Sequence, residues 1–281
     1  LRTFVSAAAV LIGLLMAAVA VPAIWVDRNI VQEDGFAALA GPLGKDPVFQ
    51  RRLATAAVSS LGSGDRIPGA LTDLARPILE AAAQSLTGMP GYPDAWAETL
   101  RRSHRLTFAD PATLPAEADG ATSLTLDVAP LAALVAKQVS DATKLPLSAP
   151  DQVLIHIGQS NQRQAIERAA AYAPMGYAVA VGAGIAFLLA LVAARRRWSV
   201  VAGTGAGVLV LAGAWKLASD AAGAALTGTS SGNEVADTFK LEFVAASAGS
   251  FGQWILTAAV AGGVLLAGGL VLRAVGGRRR A

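Results

Sequence analysis

Four runs of about 20 apolar residues decide most of what this chain can become: Phe4 to Val26, Pro174 to Ala194, Ser199 to Ala218 and Trp254 to Val275. At about 1.5 Å of rise per residue, each run is long enough to cross roughly 30 Å of hydrocarbon as a helix. Inside them only Lys216 and Arg273 are charged, and both stand near an end. With 54% hydrophobic and 15% charged residues over 281 positions, the chain is too apolar for an ordinary water-soluble domain and falls in the membrane class.

Three consecutive arginines, Arg195, Arg196 and Arg197, separate the second run from the third. A charge at the centre of a bilayer-spanning helix costs about 2.5–3.5 kcal/mol, so three together must sit in water. A single helix from Pro174 to Ala218 would also be roughly 65 Å long, about twice the hydrocarbon thickness. The expected organisation follows. Residues 1–26 form the first span and 27–173 an extracytoplasmic domain. Spans at 174–194 and 199–218 flank a cytoplasmic turn at 195–198. An external loop at 219–253 carries a short amphipathic helix, 254–275 is the fourth span, and 276–281 a cytoplasmic tail.

Charge sets the expected orientation. Arg2, Arg195 to Arg197, Arg273 and Arg278, Arg279 and Arg280 are eight arginines without an acidic neighbour, whereas residues 27–173 hold 13 basic and 16 acidic side chains and residues 216–251 two and four. The regional charges are +8, −3 and −2, which reproduce the net +3. The positive-inside rule therefore expects both termini in the cytoplasm of a plasma membrane. The basic pI of about 9.5 comes from that inner face, so no nucleic-acid partner is expected. The same arginines are candidates for contact with anionic lipid headgroups.

The absence of cysteine excludes disulfides, thiol catalysis and cysteine metal ligands. Ala18-Val19-Ala20 resembles a signal-peptide cleavage site, but the apolar run continues for about 23 residues through Trp25, longer than the usual 7–15 residues. A retained N-terminal anchor is the expectation. Arginine outnumbers lysine 18 to 5 and alanine is abundant, a composition typical of GC-rich bacterial genomes.

The extracytoplasmic segment reads mainly helical. Asp46-Pro47 supplies an N-cap and a first-turn proline, with Phe49, Leu53, Ala57 and Leu61 following every four residues. A second helix places Ile67, Leu71, Leu74, Ile78, Ala82 and Leu86 on one face, and Pro93 opens a third that carries Trp96, Leu100 and His104. Thr122 to Val128 and Gln152 to Ile157 alternate with period two around a helix at 129–143, which predicts a small βαβ unit with parallel strands. Asn161 to Tyr172 reads as a helix, and Ser231 with Glu234 as a capping box before Val235, Phe239, Phe243 and Ala246.

Few residues point to chemistry. Neither His104, with Asp110 nearby in sequence, nor His156, with Asp151, stands in a metal-ligand spacing, and signatures of serine hydrolases and P-loop enzymes are missing. No catalytic, cofactor-binding or metal residues are assigned and no cofactor is expected; whether the chain is an enzyme stays open, with a non-enzyme favoured. Lys216 and Asp220, four apart at the outer end of the third span, are the candidates for a transport role, against a plainer reading as interfacial anchors. Gly203 and Gly207, with Gly263 in the fourth span, are candidates for close helix packing.

Trp25 closing the first span, PLGKDPVFQ at 42–50, the arginine-bearing stretch from Trp96 to His104, LTLDVAPL at 124–131 and three closing spans split by Arg195 to Arg197 together resemble an uncharacterised family of actinobacterial four-span integral membrane proteins. Ser103 stands where alanine is usual. The resemblance implies one anchor, an extracytoplasmic domain and three further spans, and brings no catalytic residues. The expected role is that of a non-catalytic, envelope-associated interaction or accessory protein. A transport subunit and an envelope-acting hydrolase or transferase are the alternatives. Besides the lipid bilayer, the partners this admits are an envelope component, another membrane protein or a second copy of the chain.

Overall fold

The computed structural model describes residues 2–52, 85, 88–108, 125–144, 146–156, 162–230 and 234–278. The elements are α1 (Arg2–Val26), a π-helical turn (Asp27–Val31), α2 (Glu33–Ala40) and a 3-10 turn (Gly41–Lys45). They continue as α3 (Tyr92–Phe108), β1 (Thr125–Asp127), α4 (Ala129–Thr143), β2 (Leu154–His156), α5 (Gln162–Tyr172), α6 (Met175–Ala193), α7 (Arg197–Thr227) and α8 (Glu234–Arg278). The fold is mainly α, and among the described residues four helices are long and apolar enough to cross a membrane. The helix expected from Ile67 and the Ser231–Glu234 capping box lie outside the described residues.

The chain divides into two compact units. One, the span unit, comprises Leu1–Arg28, Ala169–Ala225 and Ser247–Ala281; the other, the body, comprises Asn29–Arg168 and Leu226–Ala246.

In the span unit α1 lies along α6. Small residues let the two helices approach: a side chain at Gly13 would collide with the Phe187 ring, and one at Gly176 with Ala23 and the backbone of Ile24. The buried Ser6 hydroxyl donates to the Ala190 carbonyl at 2.9 Å. Pro22 sits inside α1 and has no N–H to offer the carbonyl of Ala18 four residues back. The indole Nε1–H of Trp215 on α7 donates to that carbonyl at 3.0 Å. A freed acceptor in hydrocarbon is costly, so α7 supplies what the proline removes. Near the end of α1, Trp25 donates to Ser250 Oγ at 3.1 Å and its ring lies 5.3 Å from Phe251.

The close α7–α8 approach falls on Gly205, Gly262 and Gly269, where added side chains would meet backbone atoms of the opposite helix. Of the three glycines expected to pack closely, Gly207 does so, against Leu14 of α1, whereas Gly203 and Gly263 have no neighbour within 4 Å. Two residues turn a helix by roughly 200°, so Gly203 and Gly205 occupy nearly opposite faces. Outward-facing apolar side chains such as Phe4 (77% exposed) and Val192 (81%) suit a lipid solvent.

A second correction concerns the segment 219–253. No separate amphipathic helix is present there among the described residues, because α7 runs on to Thr227 and α8 is continuous from Glu234 to Arg278. The stretch 246–254 contains no proline, and a helical glycine costs only about 1 kcal/mol relative to alanine. Ser230 donates to Asp237 at 2.6 Å, and Lys240 joins Asp237 at 3.1 Å and also donates to the Thr229 carbonyl, binding the first turns of α8 to the segment before them.

The body is organised around α3. Phe49, Leu100, Leu126, Val128 and Leu131 are fully buried, and Trp96 sits among them with its ring 5.6 Å from Phe49, edge to face. Asp46 caps the turn at 47–52 by accepting the N–H of Val48 at 2.6 Å and of Phe49 at 3.0 Å, as its sequence position predicts. The two strands pair antiparallel, Thr125 opposite His156 and Asp127 opposite Leu154, which corrects the parallel βαβ expectation. Chain length explains the direction. The 15 residues of α4 carry the chain roughly 22 Å away, and the irregular stretch 146–153 reaches about the same distance back. β2 therefore begins where β1 ends, with the Val128 N–H donating to the Val153 carbonyl at 2.8 Å.

Candidate functional site

Helix α3 opens after Gly91, whose φ of +89° is a conformation glycine adopts freely, and Pro93 in its first turn needs no hydrogen-bond partner. Its inner face is anchored at three levels. The Tyr92 hydroxyl donates to Gly44 O at 2.8 Å and Trp96 Nε1 to Gly41 O at 3.1 Å, while a side chain at Gly44 would overlap the Trp96 ring. Burial pushes the Tyr92 phenol far above its ordinary range, which keeps it a neutral donor. One turn from the other end, His104 Nε2 donates to Ile30 O at 3.1 Å, its ring set between Phe36 and Phe108 at 5.3 and 4.4 Å.

Between these anchors lies a polar node. Ser103 donates to Thr99 O at 2.6 Å and accepts the Asp127 N–H at 2.9 Å. The buried Asp127 carboxylate accepts the N–H of Ala129 at 3.0 Å and of Val153 at 3.2 Å, with Arg102 Nη1 at 3.9 Å from its other oxygen. One side chain thus holds the start of α4, the approach to β2 and the outer face of α3. Ser103 completes this node.

The outer face of α3 is a charged strip. Glu98 receives Arg102 at 3.1 Å and Arg105 at 3.2 Å, and Glu33 on α2 receives Arg105 at 3.3 Å and Arg101 at 4.0 Å. Burial alone would raise the Glu98 carboxyl, but Arg102 and Arg105 outweigh it and hold it below its ordinary value. The guanidiniums are about half exposed, so each pair adds little stability. Their effect is positional. The three guanidiniums share Glu33, Glu98 and Asp127 yet stay 42–53% exposed, a positive surface of the kind that suits an acidic partner.

His104 gives this region a pH response. Burial lowers its pKa below the ordinary 6.5, and the Ile30 and Val31 carbonyls and Glu33 offset that only in part. The unfolded chain therefore takes up the proton first, so the stability from neutral His104 is complete above about pH 6.5 and declines as the pH falls below it. The thermal midpoint of the purified protein is expected to drop more between pH 7.5 and 5.5 for the wild type than for His104→Gln, which keeps a donor for Ile30 but does not titrate. Equal slopes would count against a titrating His104.

In the span unit, Arg195 and Arg196 form the turn between α6 and α7, and Arg197 opens α7; all three are exposed. Arg273 stacks over the Trp198 ring at 5.0 Å. Thr3, Ser6, Ala194, Arg195, Arg196 and Ser199 line a cavity of about 310 Å³. The start of α1, the α6–α7 turn and the Arg273 turn of α8 therefore share one end of this unit. Arg279 and Arg280, and the side chain of Arg278, lie outside the described residues. Lys216 and Asp220 bond to each other, Nζ to Oδ1 at 2.6 Å, on an exposed face of α7. His156 pairs through its backbone in β2. Among the described residues no group of three or more His, Asp or Glu side chains is placed to hold a metal ion.

No family model, no curated protein and no solved structure matches this chain. Sequence alone did not single out Glu33, Glu98, Asp127 or the cavity hydroxyls. Asp127 two residues before Ala129 in the run DVAP was the available signal, since an aspartate there folds an Asx turn at a helix start.

Proposed function

We propose that the chain is a four-span plasma membrane protein of the actinobacterial group it resembles, and that its body lies outside the cytoplasm and contacts an envelope component or membrane partner without catalysis. The observation that carries the contact role is the α3 strip, in which Arg101, Arg102 and Arg105 are held outward over Glu33 and Glu98 on a buried framework. Orientation rests on the arginines gathered at one end of the span unit, the end the positive-inside rule assigns to the cytoplasm. The bonds from Ser6 and Ala18 to later helices support a retained first span.

The native chain has no cysteine, so single thiols report cleanly. On intact cells a membrane-impermeant maleimide is expected to label Lys137→Cys on α4 and to leave Arg197→Cys unlabelled until the membrane is opened. The reverse pattern would refute the orientation. A photo-crosslinking residue at position 101 is expected to capture a partner in cells, and Arg102→Ala with Arg105→Ala to remove that product. Capture unchanged by the double substitution would sink the role given to the strip.

A further inference from the structure

We propose that the cavity between the start of α1 and the α6–α7 turn binds a phosphate group, carried by an anionic phospholipid headgroup or free in solution. Its volume, about 310 Å³, lies at the lower end of the range for small-ligand pockets. Its lining residues are chemically one-sided: Arg195 and Arg196, the hydroxyl-bearing Thr3, Ser6 and Ser199, and Ala194. Among the described residues no carboxylate contributes to it. Among the described residues neither arginine has an ion-pair partner, in contrast to the body, where Arg101, Arg102 and Arg105 all lie within 4.0 Å of glutamates. Two adjacent arginines without a carboxylate partner set up a positive potential beside the recess, and the planar guanidinium fork matches phosphate oxygens in pairs.

The surroundings fix the recess. Ser6 is buried and bonded to Ala190 O at 2.9 Å, which couples α1 to α6 beside the recess. Ser199 donates to Arg196 O at 2.7 Å, and its own N–H bonds the same carbonyl at 3.0 Å, so the turn carrying both arginines is tied to the first residues of α7. The first turn of a helix also offers unsatisfied N–H groups, which add to the attraction for an anion without creating the site. Arg273 is engaged with Trp198, leaving Arg195 and Arg196 as the cavity's own cations. The recess stands at the arginine-rich end of helices that are long enough to span a bilayer, the depth at which headgroup phosphates lie.

The test uses the full chain in a zwitterionic detergent, with short-chain phosphatidylglycerol, short-chain phosphatidylcholine and inorganic phosphate as probes. Native mass spectrometry reads bound lipid and the thermal midpoint reads stabilisation. Phosphatidylglycerol is expected to be retained and to raise the midpoint. Arg195→Gln with Arg196→Gln should weaken it at least tenfold, and Arg278→Gln with Arg279→Gln, an equal loss of charge elsewhere, should not. Should the first pair fail to fold, Thr3→Leu fills the recess while keeping every charge and is expected to weaken binding to the same degree. Competition by millimolar inorganic phosphate identifies free phosphate as a source, and binding of the lipid alone identifies the headgroup. The proposal is overturned if neither probe binds, if phosphatidylcholine binds as tightly, if tail and turn substitutions weaken binding equally, or if Thr3→Leu leaves it unchanged.

Discussion

Gly205→Leu is expected to disrupt the span unit, whereas Gly203→Leu, two residues away, leaves it intact. A side chain at Gly205 would overlap the Leu266 amide nitrogen and the Gly262 carbonyl, both backbone atoms of α8 that cannot yield one at a time. Overpacking by a few methylenes costs about 1–3 kcal/mol where neighbours can adjust, and more where they are backbone. Against a total stability of about 5–15 kcal/mol, such a change is large. Size-exclusion profiles and thermal unfolding in detergent would read it: Gly205→Leu aggregated or shifted down by more than about 10 °C, Gly203→Leu within a few degrees of wild type. Equal behaviour of the two variants would show that α7 and α8 do not meet on this face.

Asp127→Ala carries the second large effect. The substitution orphans the N–H groups of Ala129 and Val153, both bonded to the same carboxylate oxygen at 3.0 and 3.2 Å in a buried setting. An unsatisfied buried donor costs about 1–3 kcal/mol, so the body should lose roughly 2–6 kcal/mol. Asp127→Asn keeps a carbonyl oxygen and should lose less than half of that. Hydrogen exchange locates the damage: the amides of residues 129 and 153 should lose protection in Asp127→Ala before those of α3 do. Full protection with an unchanged unfolding midpoint would show that the node is dispensable.

The spans were legible because each advertises itself through length and apolarity alone. Trp96, Leu100 and His104 were legible as one face of α3 because a four-residue recurrence maps directly onto a helix, and all three are buried. Strand direction was not. Alternation in TSLTLDV and QVLIHI reveals a period of two, but whether strands run together or opposed depends on how far the connection carries the chain. Asp127 was hidden for a related reason. Alternation reads one face as wet, yet Thr125, Leu126 and Asp127 are all buried because α3 covers the second face. Gly207 packs against α1 as expected, but Gly203 and Gly263 misled by phase: small residues two or so apart lie on different sides of a helix, and only the neighbour decides which side is used. The charged strip was invisible because Glu33 is 72 positions from Arg105, a separation no local pattern encodes.

The bond from Trp215 to Ala18 joins groups 197 positions apart. Ribosomes add about 5–20 residues each second, so the N-terminal helix waits on the order of 10–40 s after its own synthesis before that donor exists. During this interval the acceptor left bare by Pro22 must be served by water or by the insertion machinery. The proline thus acts as a timing mark, making final seating of the earliest helix conditional on arrival of the third. A chain truncated before residue 215 should accordingly leave its anchor more open to proteases and to competing helices than the complete chain does.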